Sequence, residues 1–109
     1  MNTEELHQHI AAREAEVAGY QVNIDNYTVI VGLIPPELPA HLQMWAGLPI
    51  EDVIDQLPEA DVQQVSDHQF RRSLQRRLIV ERLEQRKAAF VLDALRQRLN
   101  NPPPEALKG

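Results

Sequence analysis

Apolar residues in the first third of the chain recur at alternating steps of four and three: Leu6, Ile10, Val17, Tyr20, Ile24, Tyr27, Val31 and Ile34, with Arg13 at the one seam position that is not apolar. That spacing predicts a long amphipathic helix over residues 4 to about 32 with a coiled-coil-like seam. Thr3 is the expected cap, and Glu4 and Glu5 follow in the first turn, where carboxylates interact well with the positive end of the helix dipole. Gly19 costs about 1 kcal/mol relative to Ala inside such a helix. Tyr27-Thr28-Val29-Ile30-Val31 has strand propensity, so a short strand at 27–34 is the local alternative, disfavoured because no second strand is available to pair with it.

A second long pattern occupies the other end. Phe70, Leu74, Leu78, Ala88, Leu92, Leu95 and Leu99 fall on one face at 100° per residue. Ser66-Asp67-His68-Gln69 reads as a capping box that starts this helix, and Asn100-Asn101-Pro102 ends it. The expected span is 67 to about 100, roughly 50 Å at 1.5 Å per residue. The two seams are of matching length, which predicts an antiparallel hairpin with Leu6 near Leu99, Ile10 near Leu95, Val17 near Ala88 and Val31 near Leu74.

Between them Pro35, Pro36, Pro39, Pro49 and Pro58 cut the chain into short pieces. One short helix is expected from Pro39 to Trp45, stopping at Gly47, and another from Pro49 to Leu57 with Val53, Ile54 and Leu57 facing inward; a turn with Val62 and Val65 follows. The fold expected is therefore all-α, a long antiparallel helical hairpin bridged by two short helices, forming a single domain over 1–101 with a flexible tail at 102–109.

Charge changes the picture. Residues 1–70 hold twelve acids and one base, Arg13, while 71–109 hold ten of the 11 Lys and Arg and four acids, so the net −5 is the sum of about −11 and +6. Opposite blocks can pair internally, acidic first helix against basic last helix, or offer one sign to a partner. With no cysteine, disulfides, thiolate zinc sites and cysteine nucleophiles are excluded, and a reducing cytoplasm is the expected location. The acidic start, Met1-Asn2-Thr3-Glu4-Glu5, resembles no export signal, and the longest apolar run is far too short for a membrane span.

Catalytic machinery is not visible. Thr3, Thr28, Ser66 and Ser73 are the only hydroxyl-bearing Ser and Thr, none beside a base in sequence, and no Gly-rich phosphate loop or nucleophile elbow exists. Glu4-x-x-His7 has the spacing of carboxylate di-metal bundles but stands alone, and His9, His41 and His68 show no ligand spacing, so no metal, cofactor or catalytic residue is assigned.

What remains is a second apolar patch on the last helix. Ile79, Leu83 and Phe90 lie opposite the seam within about 40° of arc, flanked by Arg72, Arg76, Arg86 and Lys87. The bland expectation is that Leu38, Leu42, Trp45, Ile54 and Leu57 of the short helices fold back over it; the functional one is a protein partner or a second copy, since apolar patches rimmed by Arg are typical of interfaces. The reading is a small non-enzymatic helical protein that binds another protein, in the style of accessory, adaptor or inhibitor proteins of phages and mobile elements, a likeness of composition and not of residues.

The competing reading is nucleic-acid association through the basic run Arg71-Arg72, Arg76-Arg77, Arg82, Arg86-Lys87. Those residues spread around most of the helix, only Phe90 is interleaved, and the acidic whole repels a polyanion at distance. Conversely, Glu51, Asp52, Asp55, Glu59 and Asp61 form an acidic block that resembles the surface of nucleic-acid mimics, although short acidic helices are more often simply solvated.

Overall fold

In the computed structural model, which describes residues 1–101, the chain forms α1 (Thr3–Leu33), a 3₁₀ helix (Ala40–Trp45), α2 (Ile50–Ile54) and α3 (Glu59–Asn100). The all-α hairpin with short helices between its arms is therefore the fold, and no strand occurs among the described residues; 27–33 continue α1. The residues group into two compact units, Met1–Ile24 with the part of α3 from Val80 onward, and Asp25–Ile79. The flexible tail expected at 102–109 lies outside the described residues.

Capping of α1 falls one residue earlier than the sequence suggested. Asn2, not Thr3, supplies the cap: its Oδ1 accepts from the Glu5 backbone N–H at 2.8 Å and its carbonyl accepts from Leu6 N–H at 3.0 Å. Asn is at least as good a cap as Thr, and placing it there sets Glu5 at the third helical position, where Asn2 Nδ2 reaches its Oε1 at 3.4 Å.

In the first unit the seam is built as the spacing predicts. Leu6, Ile10 and Leu92 are buried together, with Val17, Leu95 and Leu99 packed against them. Cross-helix pairs run in the antiparallel sense, Glu14 with Arg96 at 3.3 Å and Asn23 with Glu81 at 3.3 Å. Gln85 occupies a seam position with a polar side chain, and it is satisfied there: Nε2 donates to the Val17 carbonyl at 3.2 Å and to Gln21 Oε1 at 2.9 Å. Arg13, the other polar seam residue, turns aside to Glu16 at 2.6 Å. Of the internal pairing of acidic α1 with basic α3 that the charge blocks allow, the first unit holds the Glu14–Arg96 bridge, an exposed pair of the kind worth about 0–1 kcal/mol. Apolar burial, not charge, holds this unit.

The second unit has its own core. Leu38, Leu42, Val53 and Val65 are buried together, and Trp45, Ala46, Ile50, Leu57 and Val62 pack around them. This core explains why α3 starts at Glu59 rather than at Ser66. The Pro58 carbonyl accepts from the N–H groups of both Asp61 and Val62 at 3.0 Å, Glu59 and Asp61 supply first-turn acids, and helical geometry across 62–65 buries both valines against the short helices. Ser66-Asp67-His68-Gln69 is thus interior helix, and no capping box forms.

One seam assignment, Phe70, and one inward assignment on a short helix, Ile54, fail in this unit. Phe70 is 51% exposed, because α1 ends at Leu33 and gives that turn of α3 no facing helix, whereas Leu74 and Leu78 are buried. Ile54 is 58% exposed; α2 is only five residues long, so it has one inward position, and Val53 takes it.

Leu42→Ala and Leu92→Ala, one in each core, should each cost about 2–5 kcal/mol in urea unfolding, against less than about 1 for Phe70→Ala. Gly19 is exposed and helical, and an added Cβ there meets nothing within 4 Å. Gly19→Ala should therefore stabilise the protein by about 1 kcal/mol, and a loss of stability would show that the helix is not regular there.

Candidate functional site

Each residue of the predicted patch stands on α3, and none is covered by another part of its own unit. In the first unit Leu83 is 50% and Phe90 76% exposed, and Val80 and Val91 add two further exposed apolar side chains. Arg86 and Lys87 lie between them; Lys87 is held to Glu84 at 3.1 Å, while Arg86 has no carboxylate partner among the described residues. In the second unit Ile79 is 59% exposed, and Arg72 and Arg76 are exposed and also without a carboxylate partner among the described residues.

Within the second unit the expectation that the short helices cover the patch is not met at Ile79. Leu38, Leu42, Trp45 and Leu57 do fold onto α3, but onto Val62 and Val65 at its start. At 100° per residue Val65 lies on the same side of the helix as Ile79, so within the second unit the short helices cover the first turns of that side and stop before Ile79. Their reach was not legible in the sequence because the extra two turns of α3 at Glu59–Val65 were read as a connection.

Sequence reasoning missed a groove in the second unit. Gln69, expected to cap a helix, instead donates through Nε2 to the carbonyls of Ala46 at 3.2 Å and Leu48 at 2.6 Å. This ties the Ala46–Pro49 turn against α3 and shapes a hollow of about 380 Å³ between them, bordered by Leu48, Pro49, Ser73, Arg72 and Arg76. The signal for it is the i, i+3, i+7 spacing of Gln69, Arg72 and Arg76, which the capping reading of Gln69 separates from the two arginines. A second hollow, of about 370 Å³, lies beside Glu37, Leu38 and Gln43. It includes His68 of the expected capping box; the side chain is half-buried, and its Nδ1 is buried without a hydrogen-bond partner in the protein.

The remaining candidates stay apart. His41 Nε2 lies 3.8 Å from Asp61 Oδ1, and no group of three or more His, Cys, Asp or Glu that would suit a metal ion occurs among the described residues. Arg77 sits over the Tyr27 ring, 6.0 Å from its centroid, so this member of the basic run is engaged within the second unit. No described helix is long and apolar enough to cross a membrane. No known family, curated protein or solved structure matches the chain.

Gln69→Ala removes both tethers of the turn. It should cost about 1–3 kcal/mol, at about 0.5–1.5 per hydrogen bond, and speed exchange of the Ala46, Gly47 and Leu48 amides while leaving the Leu6–Ile10–Leu92 cluster protected. Unchanged exchange in the turn would mean that Gln69 does not hold it.

Proposed function

We propose that the protein acts without catalysis, by binding another protein through exposed apolar side chains of α3 flanked by basic ones: a strip of Leu83 and Phe90 with Arg86 and Lys87 in the first unit, and, as a patch of its own, Ile79 with Arg72 and Arg76 in the second. The observation that carries this reading is the exposure of Phe90, 76%, and Leu83, 50%, on a helix whose opposite face is already a core. Single exposed apolar residues are ordinary, but Val80, Leu83, Phe90 and Val91 fall within twelve residues of one helix. Burying one side chain of the Leu or Phe class contributes roughly 1.5–3 kcal/mol, so two or three of them suffice for a specific contact when arginines rim the patch.

The same strip suits a second copy of the chain. In that arrangement the α3 helices meet across a twofold axis and Arg72, Arg76 or Arg86 reach acids of the other subunit. The cysteine-free composition fits action in a reducing cytoplasm, in an accessory, adaptor or inhibitor role.

Light scattering coupled to size exclusion separates the two occupants. A dimer mass at micromolar concentration that falls to one chain in Leu83→Glu, with helical content unchanged, is the expected result for self-association. If the native chain is already a monomer, nuclease-treated lysate of the source cell passed over the native protein and over Leu83→Glu should yield a protein retained only by the former. Identical retention by both, or retention lost on nuclease treatment, contradicts the proposal, the second outcome in favour of nucleic acid.

A further inference from the structure

We infer that the groove between the Ala46–Pro49 turn and α3 is a second binding site, and that it takes a short acidic protein segment with an apolar side chain next to its carboxylates. The inference rests on the proposed function in taking the ligand to be a protein and in using Arg72 and Arg76; the groove lies wholly within the second unit and takes in none of the apolar residues proposed for contact there, Ile79, Leu83 and Phe90.

Charge supplies the first argument. Arg72 and Arg76 stand one helical turn apart at the groove, both exposed, and neither has a carboxylate within 4.0 Å among the described residues. Side chains at i and i+4 project from the same face, so the two guanidinium groups present their donors to one volume of space, where they can take two oxygens of one carboxylate or one oxygen each of two. The Ser73 hydroxyl borders the same hollow and adds a neutral donor.

Rigidity is the second argument. The wall opposite the arginines is pinned by Gln69 through the carbonyls of Ala46 and Leu48, and Leu48 N–H donates to the Trp45 carbonyl at 3.2 Å. A ligand entering the groove meets a wall already fixed, so little ordering entropy is lost there on binding.

The choice of ligand follows from what each alternative leaves unsatisfied. Inorganic phosphate would engage the arginines but leave Leu48 and Pro49 in water. A nucleic acid would find no aromatic ring in the groove on which to stack, and its backbone, running past Pro49, would meet Glu51 and Asp52 in the first turn of α2. A peptide with one or two carboxylates beside Leu or Phe places charge on Arg72 and Arg76 and its apolar group on Leu48 and Pro49, and ends before the acids of α2.

The test uses the full chain and an array of ten-residue peptides in which two Glu, three or four positions apart, flank Leu or Phe, each paired with its Gln counterpart. The tightest binder is titrated into isotope-labelled protein. Saturable shifts of the Gln69 side-chain amide and of the Arg72 and Arg76 Nε–H signals are expected. The affinity should fall at least about tenfold in Arg72→Gln/Arg76→Gln, as loss of two charge-assisted bonds implies, and less in Arg72→Lys/Arg76→Lys, which keeps the charge without the forked donors and serves if the first variant misfolds. Leu83→Glu should leave the titration unchanged, so failure at the groove and failure at the α3 strip are separate results. Equal binding of the Gln peptides, shifts that persist in both arginine variants, displacement of the peptide by equimolar inorganic phosphate, or tighter binding of a short DNA duplex at these signals would each overturn the inference.

Discussion

Steric and apolar complementarity along a seam spaced in alternating threes and fours is the constraint on which the first unit depends. Leu6, Ile10 and Val17 on α1 meet Leu92, Leu95 and Leu99 on α3, and few polar side chains share the work. Where the seam turns polar, the chain supplies a specific remedy: Gln85 finds the Val17 carbonyl and Gln21, and Arg13 leaves the seam for Glu16. A half-buried amide left without partners would cost about 1–3 kcal/mol, so the pairing of Gln85 matters more for specifying register than for adding stability.

Once that face of α3 is committed to α1, its other side becomes the open question. A 42-residue helix offers far more lateral surface than a six-residue 3₁₀ helix and a five-residue α2 can cover. The short helices spend Leu38, Leu42 and Val53 on Val65 and stop. Their end is fastened by Gln69, and the fastening itself leaves the Arg-bordered groove. Within the second unit the groove and the exposed Ile79 thus have one origin, a stretch of α3 longer than the short elements that pack on it.

Much of this was readable from residue spacing alone. The seams, the antiparallel sense and the positions of the short helices follow from periodicity and from prolines, because both act locally and leave a repeated mark. Three features were not readable. The start of α3 depended on burying Val62 and Val65 against segments distant in sequence, and that tertiary gain outweighs the local capping signal at Ser66-Asp67-His68-Gln69. Phe70 and Ile54 sit at positions of suitable phase but lack a facing element, which phase cannot reveal. The charge blocks left internal pairing and an offered charge equally open; within the first unit Glu14 and Arg96 bridge α1 and α3, an exposed contact from which solvated side chains gain little. The patch of Ile79, Leu83 and Phe90 was legible as apolar, but the exposure of Ile79 within the second unit was decided by the reach of the short helices.

The claim most exposed to test is that α1 commits one defined face of α3 and leaves the opposite one free. Because the chain has no cysteine, Ile10→Cys with Leu95→Cys, both members of the first unit's seam, reports on it without background. Mild oxidation should produce an intramolecular disulfide in nearly all chains of that variant and in almost none of Ile10→Cys with Gln97→Cys, whose second position lies at the same level of α3 on its exposed side. Equal yields, or a higher yield for the Gln97 pair, would contradict the account.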